Sequence, residues 1–165
     1  MSDKKSPSAV KSKFGAAVII IAALMLVCLL TGCGEYAKAS ESEIRVVIQL
    51  DLGEDIGLLI YDWDVNGQSG TGGMSNADGS MIRHDDILDW TVDRQQLEDP
   101  AEEVDVTLKF TVVTEYFDPN YDNIYPEEYM IPLDALSFSS GFGETYYATI
   151  TGDRASGYRI VLDER

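Results

Sequence analysis

From Ile44 onward, apolar and polar residues take turns along the chain. Ile44, Val46, Ile48, Leu50 and Leu52 are interleaved with Arg45, Val47, Gln49 and Asp51. A period of two sends one row of side chains to a core and a mostly polar row to water, the signature of a half-buried strand. The pattern is cleanest from Val104 to Phe117, where Val104, Val106, Leu108, Phe110, Val112 and Tyr116 share one face and Asp105, Lys109 and Glu115 the other. Near the end, Thr145–Thr151 and Tyr158–Leu162 flank the turn Gly152–Gly157 and predict a hairpin. Ile56–Val65, Ile87–Val92 and Met130–Phe138 are further strands, the last at an edge or bulged because Pro132 cannot donate to a ladder. Helical signals are confined to one short turn within Asp93–Glu103 and another over Leu133–Leu136. About seven strands at short spacing, with no helix long enough for a βαβ crossover, predict an all-β fold: an antiparallel, immunoglobulin-like β-sandwich over residues 44–165. The cysteine pair and bracketed tryptophan of an antibody-type domain are absent, so the expectation concerns architecture only.

The first 33 residues follow different rules. Lys4, Lys5, Lys11 and Lys13 form a basic stretch, and Phe14–Leu30 is an apolar run that predicts an N-terminal hydrophobic signal helix. The run ends in Leu30-Thr31-Gly32-Cys33, which resembles the lipobox of bacterial lipoproteins. The resemblance implies a signal peptide over residues 1–32, cleavage after Gly32, and diacylation of Cys33 as the new N-terminus. Cys28 competes poorly, because Met25-Leu26-Val27 places no small residue before it. An uncleaved membrane helix is the alternative, and it too tethers the domain with the basic end inside. Two acyl chains suffice for stable anchoring, and Gly34 stands where an aspartate would suggest inner-membrane retention. The expected location is the extracytoplasmic face of a cell membrane. Residues 33–43 are the lipidated cysteine and a polar tether, whose coil from 34 to 43 spans roughly 17 Å. Segments such as Gly72–Ser80 also look like parts of small lipoproteins of unassigned function, which implies a compact secreted domain.

Cleavage sharpens the charge. The whole chain has 12 basic and 29 acidic residues; the first 32 contain four lysines and Asp3, leaving 8 basic against 28 acidic, a net charge of −20. Nucleic acid is an unfavourable partner for such a surface, and cations, basic proteins or neutral sugars are favourable ones. With Cys28 removed and Cys33 lipidated, no thiol is left to pair, so the fold stands without a disulfide.

Two acidic stretches are candidate calcium ligands. Asp62, Asp64, Asn66 and Gly67 fall at positions one, three, five and six of a calcium loop, but position twelve is Gly73, which supplies no bidentate carboxylate. Asn66-Gly67 is equally the favoured dipeptide of a type I′ hairpin turn. Asp118, Asn120 and Asp122 repeat the spacing in a second loop, and the two halves can share an ion only if strand parity brings them to one end of the sandwich. The parity depends on how many strands intervene. The second loop also carries Tyr121 and Tyr125, stiffened by Pro119 and Pro126, which are candidate anchors for a protein or sugar surface unless they fold back over the core rim.

Catalytic chemistry is thinly represented. His84 is the single histidine, flanked by Asp85 and Asp86 with no nucleophile context nearby. Ser69–Gly73 is glycine-rich but lacks the lysine and following helix of a phosphate loop. The sequence therefore predicts a membrane-anchored binding module without a cofactor or with calcium. The alternatives are a calcium-stabilised adhesion or carbohydrate-binding domain and, further off, a small extracytoplasmic enzyme.

Overall fold

The computed structural model describes residues 38–115 and 124–163. They belong to one compact unit, Lys38–Arg165. Residues 1–32, with the apolar run Phe14–Leu30, and Cys33 lie outside the described residues, as do Asp118, Asn120, Tyr121 and Asp122. Among the described residues nine strands follow one another: β1 (Glu43–Leu52), β2 (Leu58–Val65), β3 (Gln68–Met74), β4 (Ile87–Asp93), β5 (Glu103–Val113), β6 (Met130–Pro132), β7 (Leu136–Gly141), β8 (Thr145–Asp153) and β9 (Gly157–Leu162). One sheet has the order β4-β1-β8-β9, and the other β3-β2-β5 with β6 and β7 sharing the far side of β5. The chain is all-β, and its two sheets enclose a common core.

The period-two rows make that core. Ile44, Val46, Ile48 and Leu50 from β1 meet Val104, Val106, Leu108, Phe110 and Val112 from β5, all at most 1% exposed. Each such side chain contributes on the order of 1.5–3 kcal/mol by leaving water. Both strands are flanked on either side, β1 by β4 and β8 and β5 by β2 and β7.

Several boundaries differ from the sequence pattern. The sheet containing β1 is mixed, because β1 and β8 run parallel from Arg45 opposite Thr145 to Leu52 opposite Gly152. A parallel neighbour needs a long crossover, and here the chain crosses through the other sheet before returning. The predicted strand Met130–Phe138 is two strands: β6 ends at Pro132, Leu133 N–H makes a last bond to the Phe110 carbonyl at 2.8 Å, and the chain rejoins β5 only at Leu136. Leu133–Leu136 accordingly forms no helical turn. The turn within Asp93–Glu103 is real: a 3-10 turn at Arg94–Gln96, capped by the Asp93 carboxylate on the Gln95 N–H at 2.8 Å.

The largest surprise is β3, whose sequence QSGTGGM holds three glycines. Glycine weakens a strand because it has no side chain to pack. Here the missing side chains are filled from next door. Trp63 pairs across from Gly70 and Tyr61 from Gly72, and their rings lie over the bare glycines. A methyl group on Gly70 would stand 2.7 Å from the Trp63 indole. At Gly73, on the opposite face, the same addition meets only the Leu58 Cδ1 at 3.2 Å.

Aspartates fasten the connections. Asp153 accepts the Ser156 and Ala155 N–H groups at 2.6 and 2.9 Å and the Ser156 hydroxyl at 2.8 Å, which closes the β8–β9 turn. Glu54 takes the Tyr158 hydroxyl at 2.6 Å and the Arg154 N–H at 2.7 Å, tying that hairpin to the loop after β1. Burial first, and then the Glu54 carboxylate, push the Tyr158 phenol well above its ordinary pKa.

Gly70→Ala should cost about 1–3 kcal/mol by overpacking against Trp63, and Gly73→Ala distinctly less; urea midpoints that rank the two in the opposite order would contradict the ring-over-glycine packing. A second expectation concerns pH. The bonds from Ser156 to Asp153, and at Asp93 those from Gln95 and Ser42, hold both carboxyls below the usual 3.8. A carboxyl whose folded pKa is depressed stabilises the fold above its unfolded pKa, and that contribution disappears as pH falls through the folded value. Asp153→Asn keeps the Oδ1 acceptor but cannot titrate. The melting-temperature advantage of the unaltered chain over the Asp153→Asn variant should therefore shrink as pH drops below about 4.

Candidate functional site

Asn66 and Gly67 adopt φ of 50° and 85°, so the β2–β3 connection is a type I′ turn. Its polar groups are engaged locally. Gly67 N–H donates to the Asp64 Oδ1 at 3.0 Å, and Asp105 N–H donates to the Asn66 Oδ1 at 2.8 Å while its own carbonyl accepts the Asn66 N–H at 3.1 Å. Asp62 is exposed and stands directly across from Lys109 on β5. With Trp63, Asp64, Ser69 and Thr107 these two line a shallow depression of about 200 Å3, where the lysine supplies a resident cation.

The strand that leads to the second acidic stretch ends far from this turn. β2 and β5 are antiparallel, so Val65 at the turn faces Val106, whereas β5 ends at Val113 opposite Leu58. Seven residues of strand separate Leu58 from Val65, on the order of 23 Å. The chain thus departs toward Asp118, Asn120 and Asp122 from the end of the sheet remote from Asn66. Among the described residues no three His, Cys, Asp or Glu side chains are grouped so as to hold a metal ion.

His84 has a structural engagement. Its Nδ1 lies 2.9 Å from the Asp55 Oδ1, which also accepts the His84 N–H at 2.8 Å. These bonds hold the Asp55 carboxyl below the usual range. They join two loops already bridged by Ile56 and Ile82. Both side chains are about half exposed.

Tyr125 is the predicted anchor that meets a cavity. A groove of about 510 Å3 lies on the outer face of the second sheet. Its floor is Leu58 and Ile60 of β2, one side is Thr71, Gly72 and Gly73 of β3, and Ser75 and Tyr125 complete it. None of these side chains is charged. Leu58 and Val113 are buried although both point away from the inter-sheet core. Past the end of β5, Thr114 N–H donates to the Tyr129 carbonyl at 2.9 Å and Tyr129 N–H to that of Pro126 at 3.0 Å. Leu58 and Ile60 were hidden from sequence reading, because both fall within an apolar run rather than on one alternating face. The glycine-rich stretch Ser69–Gly73, rejected as a phosphate loop, is a sheet edge and forms one side of the groove.

No family model matches this chain, and no curated protein matches it. Among solved structures it is similar to pneumolysin, with a TM-score of 0.38 and 7% identity over 74% of this chain and 24% of the pneumolysin chain. A non-hemolytic pneumolysin from Streptococcus pneumoniae gives the same figures. A protein from Eubacterium rectale gives a TM-score of 0.35 and 12% identity, covering 81% of this chain and 97% of that one. The chain therefore spans about a quarter of the length of the pneumolysins it matches. At these TM-scores the likenesses carry nothing over to function.

The local engagement of Asp62 and Asp64 has a direct consequence. Replacing Asp62 and Asp64 together by asparagine should leave the difference between melting temperatures in millimolar calcium and in chelator unchanged. A difference that disappears in the double variant would place an ion on β2 after all.

Proposed function

We propose that this chain is a membrane-anchored extracytoplasmic lipoprotein whose β domain, immunoglobulin-like in size and two-layer build, is a binding module for a protein or carbohydrate partner. The groove beneath Tyr125 carries the reading. It is an uncharged recess with an apolar floor and three hydroxyl-bearing side chains, on a chain whose formal net charge is −17. Concave sites of this make-up, apolar with a few polar groups for orientation, are what ligands select. Tyrosine suits such a wall because it offers a rigid apolar ring and a hydrogen-bonding tip.

The anchor rests on Leu30-Thr31-Gly32-Cys33, and the acidic balance favours partners other than nucleic acid. The engagement of His84 with Asp55 favours a binding role over an enzymatic one, since the imidazole fastens a loop. Calcium has no supporting arrangement among the described residues.

Two measurements test the reading. The chain should take up a palmitate label in cells producing it, and Cys33→Ser should abolish that label. A photo-crosslinking residue at Ser75 should give a discrete adduct in intact cells that Tyr125→Ala abolishes, while one at the exposed Asp163 gives none. Palmitate labelling that survives Cys33→Ser, or crosslinking that is indifferent to Tyr125, would count against the anchor and the groove respectively.

A further inference from the structure

β3 is the outermost strand of its sheet, and among the described residues nothing pairs with its far side. In a two-residue hairpin the residues flanking the turn exchange hydrogen bonds, and bonded pairs then alternate. Val65 and Gln68 flank the turn, so Gln68, Gly70, Gly72 and Met74 turn their backbone groups toward β2. The N–H and C=O groups of Ser69, Thr71 and Gly73 point the other way, to the open edge.

Proteins ordinarily blunt such edges with charge, proline or brevity. The other edges here conform: β4 carries Asp89 and Asp93, β9 carries Arg159, β6 is three residues long and ends in Pro132, and β7 comes into contact with β9. β3 has seven residues and no charge or proline.

Gly73 supplies an independent observation. Gly70 and Gly72 are explained by the rings that cover them, but Gly73 has neither a positive φ nor a ring above it. It is exposed, borders the groove and pairs with Ile60. Its exposed backbone, bare where a methyl group would press on the Leu58 Cδ1 at 3.2 Å, leaves room on the edge for another backbone to come close.

We infer that an extended, basic peptide segment of a partner protein adds to β3 as a further strand, bonding to Ser69, Thr71 and Gly73 and setting an apolar side chain over Gly73 into the groove. This rests on the groove being a binding site and names the class of its partner. Main-chain bonds would give affinity and the groove selectivity, as in strand addition generally. The charge preference follows from the surroundings: Asp62 and Asp64 lie beside β3 on β2, Glu98 N–H is held by Gln68 at its start, and Asp78 follows its end. A second copy of this acidic chain would meet repulsion at the same edge.

The test uses the full chain in neutral detergent micelles and a fluorescent decapeptide of alternating lysine and valine. A control of equal charge carries N-methyl groups on consecutive amides, so that neither of its edges can pair. The unmethylated peptide should bind at least tenfold more tightly and slow hydrogen exchange at Ser69, Thr71 and Gly73 at least tenfold. Gly73→Val should weaken it by a similar factor; if that variant does not fold, the exchange measurement on the unaltered chain decides alone. Equal affinity for the two peptides, or binding without slowed exchange at those amides, would show attraction by charge only and overturn the inference. A neutral hexasaccharide that occupies the groove while the peptide does not bind would overturn it too, and would leave the groove's role as a binding site standing.

Discussion

Two strands that are apolar on one face, each walled in by neighbours on both sides, set the terms for the rest of the domain. β1 and β5 place their inner rows against each other, and the register of every other strand is fixed by the need to keep those rows dry. A slip of one residue would turn Arg45, Gln49 and Asp51 of β1, or Asp105 and Lys109 of β5, into the core. With both strands central, ladder bonds are satisfied on either side, and the less regular segments can hang from a frame that does not move. The domain needs no disulfide for this, because the alternation is sustained over ten residues in β1 and eleven in β5.

The frame also explains how a strand as poor as β3 exists. Its glycines would cost stability in isolation. They are compensated because β2 offers Trp63 and Tyr61 on the face where Gly70 and Gly72 leave room. Large rings on one strand and bare backbone on the next form a single packing unit. The other face of β3 carries only the small side chains of Ser69 and Thr71 beside the bare Gly73, and there the groove opens over Leu58 and Ile60. The recess is thus a by-product of how the edge strand is held.

Legibility in the sequence followed the physics of range. β1, β5 and the β8–β9 hairpin could be read because alternation and turn chemistry are local signals. Asn66-Gly67 was readable as a turn for the same reason, and its positive φ values bear this out. β3 escaped because glycine is depleted in strands and carries no alternation. That omission propagated to the candidate site: two strands, β3 and β4, separate β2 from β5, so the chain leaves β5 at the end remote from the turn. The parallel pairing of β1 with β8 joins residues a hundred positions apart, and no local pattern encodes it. Tyr125 could be singled out by composition, but the floor it faces comes from β2 and β3 and is visible only once they are paired.

Charge completes the account of the bare edge. An uncharged strand edge on a neutral protein would be an invitation to pair with its own kind. This chain carries a formal charge of −17. Two copies approaching edge to edge would bring Asp62, Asp64 and Asp78 of each toward the same groups of the other, with repulsion that salt screens over about 8–10 Å. Repulsion spread over the whole surface can therefore do what lysine or proline on the strand would otherwise do. It discriminates where those local devices cannot: a charge or proline on β3 would exclude every incoming strand, whereas a distributed negative field excludes acidic chains and admits basic ones. Leaving β3 itself uncharged while the surroundings are acidic is the arrangement that keeps copies of the domain apart without closing the edge.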